Sequence, residues 1–203
     1  MRITPIEHGI TLAQSFSGQE RGEGVHMSDL YNALYAELEP KRFGFKGPLP
    51  LEKFELGMAW EEMLEEGLKR RIILAEEVER PGEFHIDVGK TRIFYNPDLL
   101  IFNGLTRTGE IKLSFMSVKG LPWKLGETFT SFDPKINKWI TQIKLYCKAL
   151  GTRYARLYGF FPRDMCYGKN AQLLAWDLDF SQRELDDEWS WVMGFSKQRG
   201  LIR

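Results

Sequence analysis

Three side chains stand out by type and spacing. Asp98 directly follows Pro97 in YNPDLLIF, and Glu110 and Lys112 share the segment GEIKLSF further on. Side chains alternate along a strand, so Glu110 and Lys112 occupy one face while Ile111 points to the other. Asp98 joins them if it lies opposite 110, 112 or 114, because directly paired strand residues share a face. The long turn NGLTRTG leaves that register open. Two carboxylates and a backbone carbonyl suit a hard, oxygen-seeking cation such as Mg²⁺. A lysine beside such a site can hold and orient an attacking water. Metal charge, an oriented water and a fixed phosphate are the parts that phosphodiester hydrolysis needs. Asp98 also precedes the apolar run Leu-Leu-Ile-Phe, where a charge is costly unless it is paired or metal-bound.

The elements that must position these residues can be read from the same sequence. Ser28 predicts an N-cap for a helix over Asp29 to Leu38. Pro40 to Pro50 reads as a loop by its proline and glycine content. A second helix is expected from about Leu56 to Ile72, with Trp60, Leu64, Leu68 and Ile72 as its buried stripe. Phe84 to Val88, Arg92 to Phe102 and Glu110 to Val118 read as three strands of an antiparallel meander, with Pro97 marking a strand start or a distortion. A long loop, Lys119 to Pro134, then leads to a helix with the stripe Ile136, Trp139, Ile143, Cys147 and Leu150, closed by Gly151. Two strands follow, Tyr154 to Phe161 and Ala171 to Phe180. A last helix starts at Ser181 with the capping box Ser181-Gln182-Arg183-Glu184. One α/β domain over residues 1–203 is expected, with a core of about 25–180, a C-terminal helix at 181–200, and helices on either side of a central mixed sheet.

Pro97-Asp98 followed by Glu110-x-Lys112 resembles the signature of the PD-(D/E)xK nuclease superfamily. The helix, three strands, helix, strand order resembles its restriction-endonuclease-like core. Gln142 and Tyr146, four apart on one helix face, are similar to the Q-x-x-x-Y motif of the RecB-type branch. Gly57-Met-Ala-Trp-Glu61 is similar to that branch's G-x-x-x-(H/E), with glutamate as in the YqaJ-type and lambda-type phage exonucleases. Val25 to Leu30 resembles the opening of RecB-type domains, and the likeness spans roughly residues 25–160. It implies a metal-dependent deoxyribonuclease, most simply an exonuclease of recombination, repair or phage DNA processing. Glu61, Asp98, Glu110 and the Ile111 carbonyl would hold Mg²⁺, with Mn²⁺ able to substitute. Lys112 would position the water, and Gln142 and Tyr146 would steady Lys112 or the scissile phosphate. A structure-specific endonuclease or resolvase, and a non-catalytic nucleic-acid-binding protein on the same fold, are the alternatives. A homo-oligomer or a recombination partner protein would fit the same family.

Composition sets the frame. The 203 residues are 43% hydrophobic and 28% charged, ordinary globular values that exclude extensive disorder. No apolar run is long enough to span a bilayer, and the N-terminus lacks a signal pattern, so an intracellular, cytoplasmic protein without membrane association is expected. Cys147 and Cys166 are too few for a disulfide framework or a four-cysteine metal site. Lys+Arg balance Asp+Glu at 28 each, yet the segment from Lys112 to Arg156 holds nine bases against Glu127 and Asp133, a net 9 − 2 = +7. That segment could form one face for a polyanion such as DNA. Lys119, Lys124, Lys135, Lys138 and Lys144 are its candidate phosphate contacts, and Trp123 and Phe129 could stack on an unpaired base.

Overall fold

The structure, a computed structural model, describes residues 23–44, 51–70, 77–102, 104–116, 121, 133–162 and 172–203. The chain order is β1 (Val25–His26), α1 (Met27–Leu38), α2 (Pro40–Phe43), α3 (Leu51–Lys69), β2 (Glu77–Glu79), β3 (Phe84–Val88) and β4 (Thr91–Tyr95). It continues β5 (Leu99–Phe102), β6 (Thr106–Leu113), α4 (Pro134–Leu150), β7 (Tyr154–Phe161), β8 (Gln172–Asp179) and α5 (Gln182–Gln198). The strands form two mixed sheets, β1-β4-β3 and β2-β5-β6-β7-β8. The fold class is the expected α/β one, with helices packed against two mixed sheets.

The expected three-strand meander is not what forms. Arg92 to Phe102 is two strands in two sheets: β4 pairs with β1 and β3, while β5 pairs with β2 and β6. The break falls at Asn96-Pro97-Asp98, where proline has no donor for a ladder and the chain passes from one sheet to the other. β6 begins at Thr106, earlier than expected, because it pairs with β5 from Phe102 onward.

Each face of the larger sheet is covered from a different helix. Leu64 of α3 is buried over Leu99, Ile101, Ile111 and Tyr158, with Trp60 packed alongside. The Trp60 ring stacks on Phe160 at 3.9 Å between centroids. On the other face, Ala155, Leu157 and Phe161 meet Ile136, Trp139, Ile143 and Cys147 of α4 and Leu185 of α5. A third cluster packs Met27, Leu30, Tyr31 and Leu34 of α1 against Ile93 and Tyr95 of the smaller sheet and Tyr146 of α4.

The helix ends follow their caps. Asp133 accepts from the Lys135 N–H at 2.8 Å, Pro134 supplies the first residue of α4, and Gly151 closes it at φ 68°. The Ser181 hydroxyl accepts from the Glu184 N–H at 3.2 Å, and the Glu184 carboxylate accepts from the Ser181 N–H at 2.8 Å, completing the expected capping box. α1 starts before the Ser28 cap expected for it: its N-cap is His26, whose N–H donates to Asp29 Oδ2 at 3.2 Å, and fully buried Met27 is its first residue. The stretch read as a loop from Pro40 opens with the short helix α2, started by Pro40 itself. α3 runs Leu51–Lys69, and Ile72 lies outside the described residues. Among the described residues no helix is long and apolar enough to cross a membrane.

Candidate active site

The register settles where Asp98 stands. Leu99 pairs with Gly109, so the same register carried one residue further sets Asp98 against Glu110. Gly109 permits the close approach: a Cβ there would come within 2.9 Å of Leu99 Cβ and 3.2 Å of Ile101 Cδ1. Asp98 Oδ2 accepts from the Ile111 N–H at 2.7 Å, taking the place of a strand partner where β5 has not yet begun. The N–H and C=O of one strand residue point to the same edge, so the Ile111 carbonyl is presented to the gap beside Asp98.

Glu110 is 1% exposed. Its Oε1 accepts from Lys112 Nζ and from Gln142 Nε2, while its Oε2 is buried with no hydrogen-bond partner. Gln142 also donates to the Tyr146 hydroxyl at 3.4 Å. The helical spacing of Gln142 and Tyr146 thus builds a chain that ends on Glu110. Gln142 holds the Glu110 carboxylate directly, and Tyr146 is buried behind it at 4% exposure.

Burial pushes the Glu110 carboxyl well above its ordinary value, the Asp98 charge adds to this, and Lys112 opposes it. Burial also raises Glu61 to about 7, again with Asp98 adding and with Lys112 and Arg80 opposing. Glu61 lies on α3 between Trp60 and Leu64, which pack on the sheet, and its carboxyl is near enough to Asp98 and Lys112 to feel their charges. Burial would lower the Lys112 ammonium, but the carboxylates of Glu110 and Asp98 outweigh it and hold the group above its ordinary range. Lys112 is a cation at neutral pH, able to donate but not to act as a base. Burial raises the Tyr146 hydroxyl well above its ordinary value, so it stays protonated.

The donor set fits a hard divalent cation. Asp98, Glu110 and the Ile111 carbonyl are all oxygen donors, and the partnerless Glu110 Oε2 is a buried acceptor that a cation would satisfy. Among the described residues no three His, Cys, Asp or Glu side chains converge tightly enough to hold an ion by themselves. Asp98, Glu110 and Glu61 thus do not by themselves form a closed carboxylate cage in this structure.

Several neighbours carry no sequence signal. Arg80 pairs with buried Glu65 at 3.2 Å and its charge reaches Glu61. Tyr31 of α1 lies close enough to Lys112 and Tyr146 for their charges to interact. Ser114, buried, accepts from Lys135 Nζ at 2.9 Å. These residues come from elements distant in sequence, and only the fold brings them together.

Among the described residues, four bases of the basic segment are taken up by ion pairs. The acidic block at its C-terminal side folds back on it: Lys144 pairs with Glu188 at 3.1 Å, Lys148 with Asp186 at 2.5 Å, Arg153 with Asp179 at 2.9 Å and Arg156 with Asp177 at 2.5 Å. Lys144 thus points to α5. Lys135 and Lys138 remain at the site end of α4. Lys119, Lys124, Trp123 and Phe129 lie outside the described residues.

No family model and no curated protein sequence matches the chain. Among solved structures it is similar to the crystal structure of SSO0001, with 16% identity over 90% of this chain and 80% of that one, at a TM-score of 0.51. LHK-Exo in complex with dAMP aligns more loosely, with 16% identity over 87% of this chain and 89% of that one, at a TM-score of 0.47. The likeness to SSO0001 is one of fold alone.

Proposed function

We propose that the chain is a metal-dependent nuclease, with DNA as its substrate and exonucleolytic cleavage as its mode. The observation that carries this reading is the meeting of Asp98, Glu110 and Lys112 at the break before β5, with one Glu110 oxygen buried and unsatisfied. Asp98, Glu110, the Ile111 carbonyl and Glu61 would hold Mg²⁺, which supplies positive charge to the phosphate and acidity to a bound water.

The protein's own groups have distinct tasks. Lys112 donates to the attacking water and to the phosphate oxygen on which charge develops, a preorganised electrostatic role. Glu110 holds the Lys112 ammonium in place through Oε1. Gln142 fixes the same oxygen, so the carboxylate keeps one rotamer, and Tyr146 fixes Gln142 from behind. Gln142 and Tyr146 are positioning residues in this scheme.

The test is incubation with end-labelled linear DNA and with closed circular DNA, each with Mg²⁺ and with chelator. Loss of end label from linear DNA with Mg²⁺, none with chelator, and intact circles is the expected result. Nicked circles would make the enzyme an endonuclease. No cleavage of any single- or double-stranded DNA or RNA would overturn the reading.

A further inference from the structure

α4 divides its lysines into two kinds. Lys144 and Lys148, in its C-terminal half, each have a carboxylate from α5. Lys138, at the site end, has none among the described residues. Its ammonium is seated over two rings instead, 4.7 Å from the centre of Phe43 and 5.9 Å from that of Tyr31. Lys135 lies 5.3 Å over Trp139 and donates to Ser114. Arg42, the third cation, comes from α2 and stands 5.8 Å from the same Phe43 ring, with its guanidinium on Asp133 at 2.7 Å.

Rings hold an ammonium at a fixed point without neutralising it. The half-buried cations also feel one another. Burial lowers Lys138, and the Lys112 charge lowers it further. Burial likewise lowers Lys135, with Arg42 and Lys112 adding against the single opposing charge of Asp133. A cluster of like charges beside the cleavage site is an anion-seeking surface, and a phosphodiester supplies the missing charge.

We propose that Arg42, Lys135 and Lys138 form a second phosphate site, which takes a backbone phosphate flanking the scissile one. Phe43 and Tyr31 set the position of Lys138 within it. The proposal rests on the nuclease reading and adds to it the path of the bound strand, from Lys112 past the N-terminal end of α4 towards α2. Lys144, Lys148, Arg153 and Arg156 take no part, because the fold has already paired each with a carboxylate.

The test is fluorescence anisotropy of labelled single-stranded DNA, duplex DNA and RNA oligonucleotides over a salt series in Ca²⁺, paired with cleavage kinetics in Mg²⁺. Arg42→Gln and Lys138→Gln should each lower the slope of log K against log salt by about 1 and raise KM more than they lower kcat. Phe43→Leu, which keeps every charge, should raise KM without changing the slope by as much. Lys148→Gln should change neither. Melting curves establish that each variant is folded. An unchanged slope and KM for folded Arg42→Gln and Lys138→Gln, in a wild type that cleaves, would overturn this site and leave the nuclease reading standing. A slope lowered equally by Lys148→Gln would also overturn it, as diffuse attraction. A wild type that neither binds nor cleaves any of the three would overturn both.

Discussion

Without a bound cation and above neutral pH, Glu61→Gln is expected to stabilise the protein. Burial, with the Asp98 charge behind it, raises the Glu61 carboxyl from its ordinary 4.5 to about 7. Between those two values the folded protein holds a proton that the unfolded chain has released. The native state then binds more protons, so stability falls as pH rises through this window and stays low above it. At about 1.4 kcal/mol for each tenfold in proton affinity, the ceiling is ~3 kcal/mol. Glutamine keeps the shape and has no charge to desolvate, so a gain of about 1–3 kcal/mol is expected at pH 8 in chelator, and little difference at pH 5. A divalent cation should reverse the order. Wild type gains RT ln(1 + [L]/Kd), about 2.7 kcal/mol at a hundredfold excess over Kd, and the variant gains less. Urea unfolding of both proteins at pH 5 and pH 8, with EDTA and with Mn²⁺, reads all of this. A variant less stable than wild type at pH 8 in EDTA, or equal Mn²⁺ stabilisation of the two, would refute the placement of Glu61.

Other consequences are open to simple tests. Gly109→Ala should destabilise by about 1–3 kcal/mol, measured by urea unfolding, since the added methyl meets Leu99 Cβ at 2.9 Å. Gln142→Ala should slow cleavage more than Tyr146→Phe, in single-turnover assays, because Gln142 touches Glu110 directly and Tyr146 acts through it. Lys144→Gln should leave the salt dependence of DNA binding unchanged, as its ammonium already belongs to Glu188.

Local chemistry made much of this fold legible. Gly151 and the Ser181 box mark real helix ends, and the apolar stripe of α4 faces the sheet as its spacing requires. The alternation that puts Glu110 and Lys112 on one face is likewise a property of the strand alone. What the sequence could not convey depends on long-range pairing. Pro97 signals a distortion, but not that the chain changes sheets there. Asp98 meets Ile111 only because Leu99 pairs with Gly109, a register the NGLTRTG turn does not dictate. The same limit explains the basic segment. Its excess charge is plain in the composition, yet Lys144 and Lys148 meet Glu188 and Asp186 only after α5 docks on α4, and Arg153 and Arg156 meet Asp179 and Asp177 only once β7 pairs with β8. Arg42 carries no local signal for a similar reason, since α2 lies far from α4 in sequence and meets it at Asp133.

The most direct test of the central claim compares wild type with Lys112→Ala in two assays on the same DNA. Lys112 is placed to act on the water and the developing charge, so its loss should damage the chemical step more than binding. Cleavage in Mn²⁺ should fall by about 100-fold or more, the usual scale for a preorganised electrostatic group. Affinity in Ca²⁺ should stay within about tenfold, and Lys112→Arg should not restore cleavage, because the planar guanidinium spreads its charge. Lys112→Ala cleaving at the wild-type rate would contradict the account.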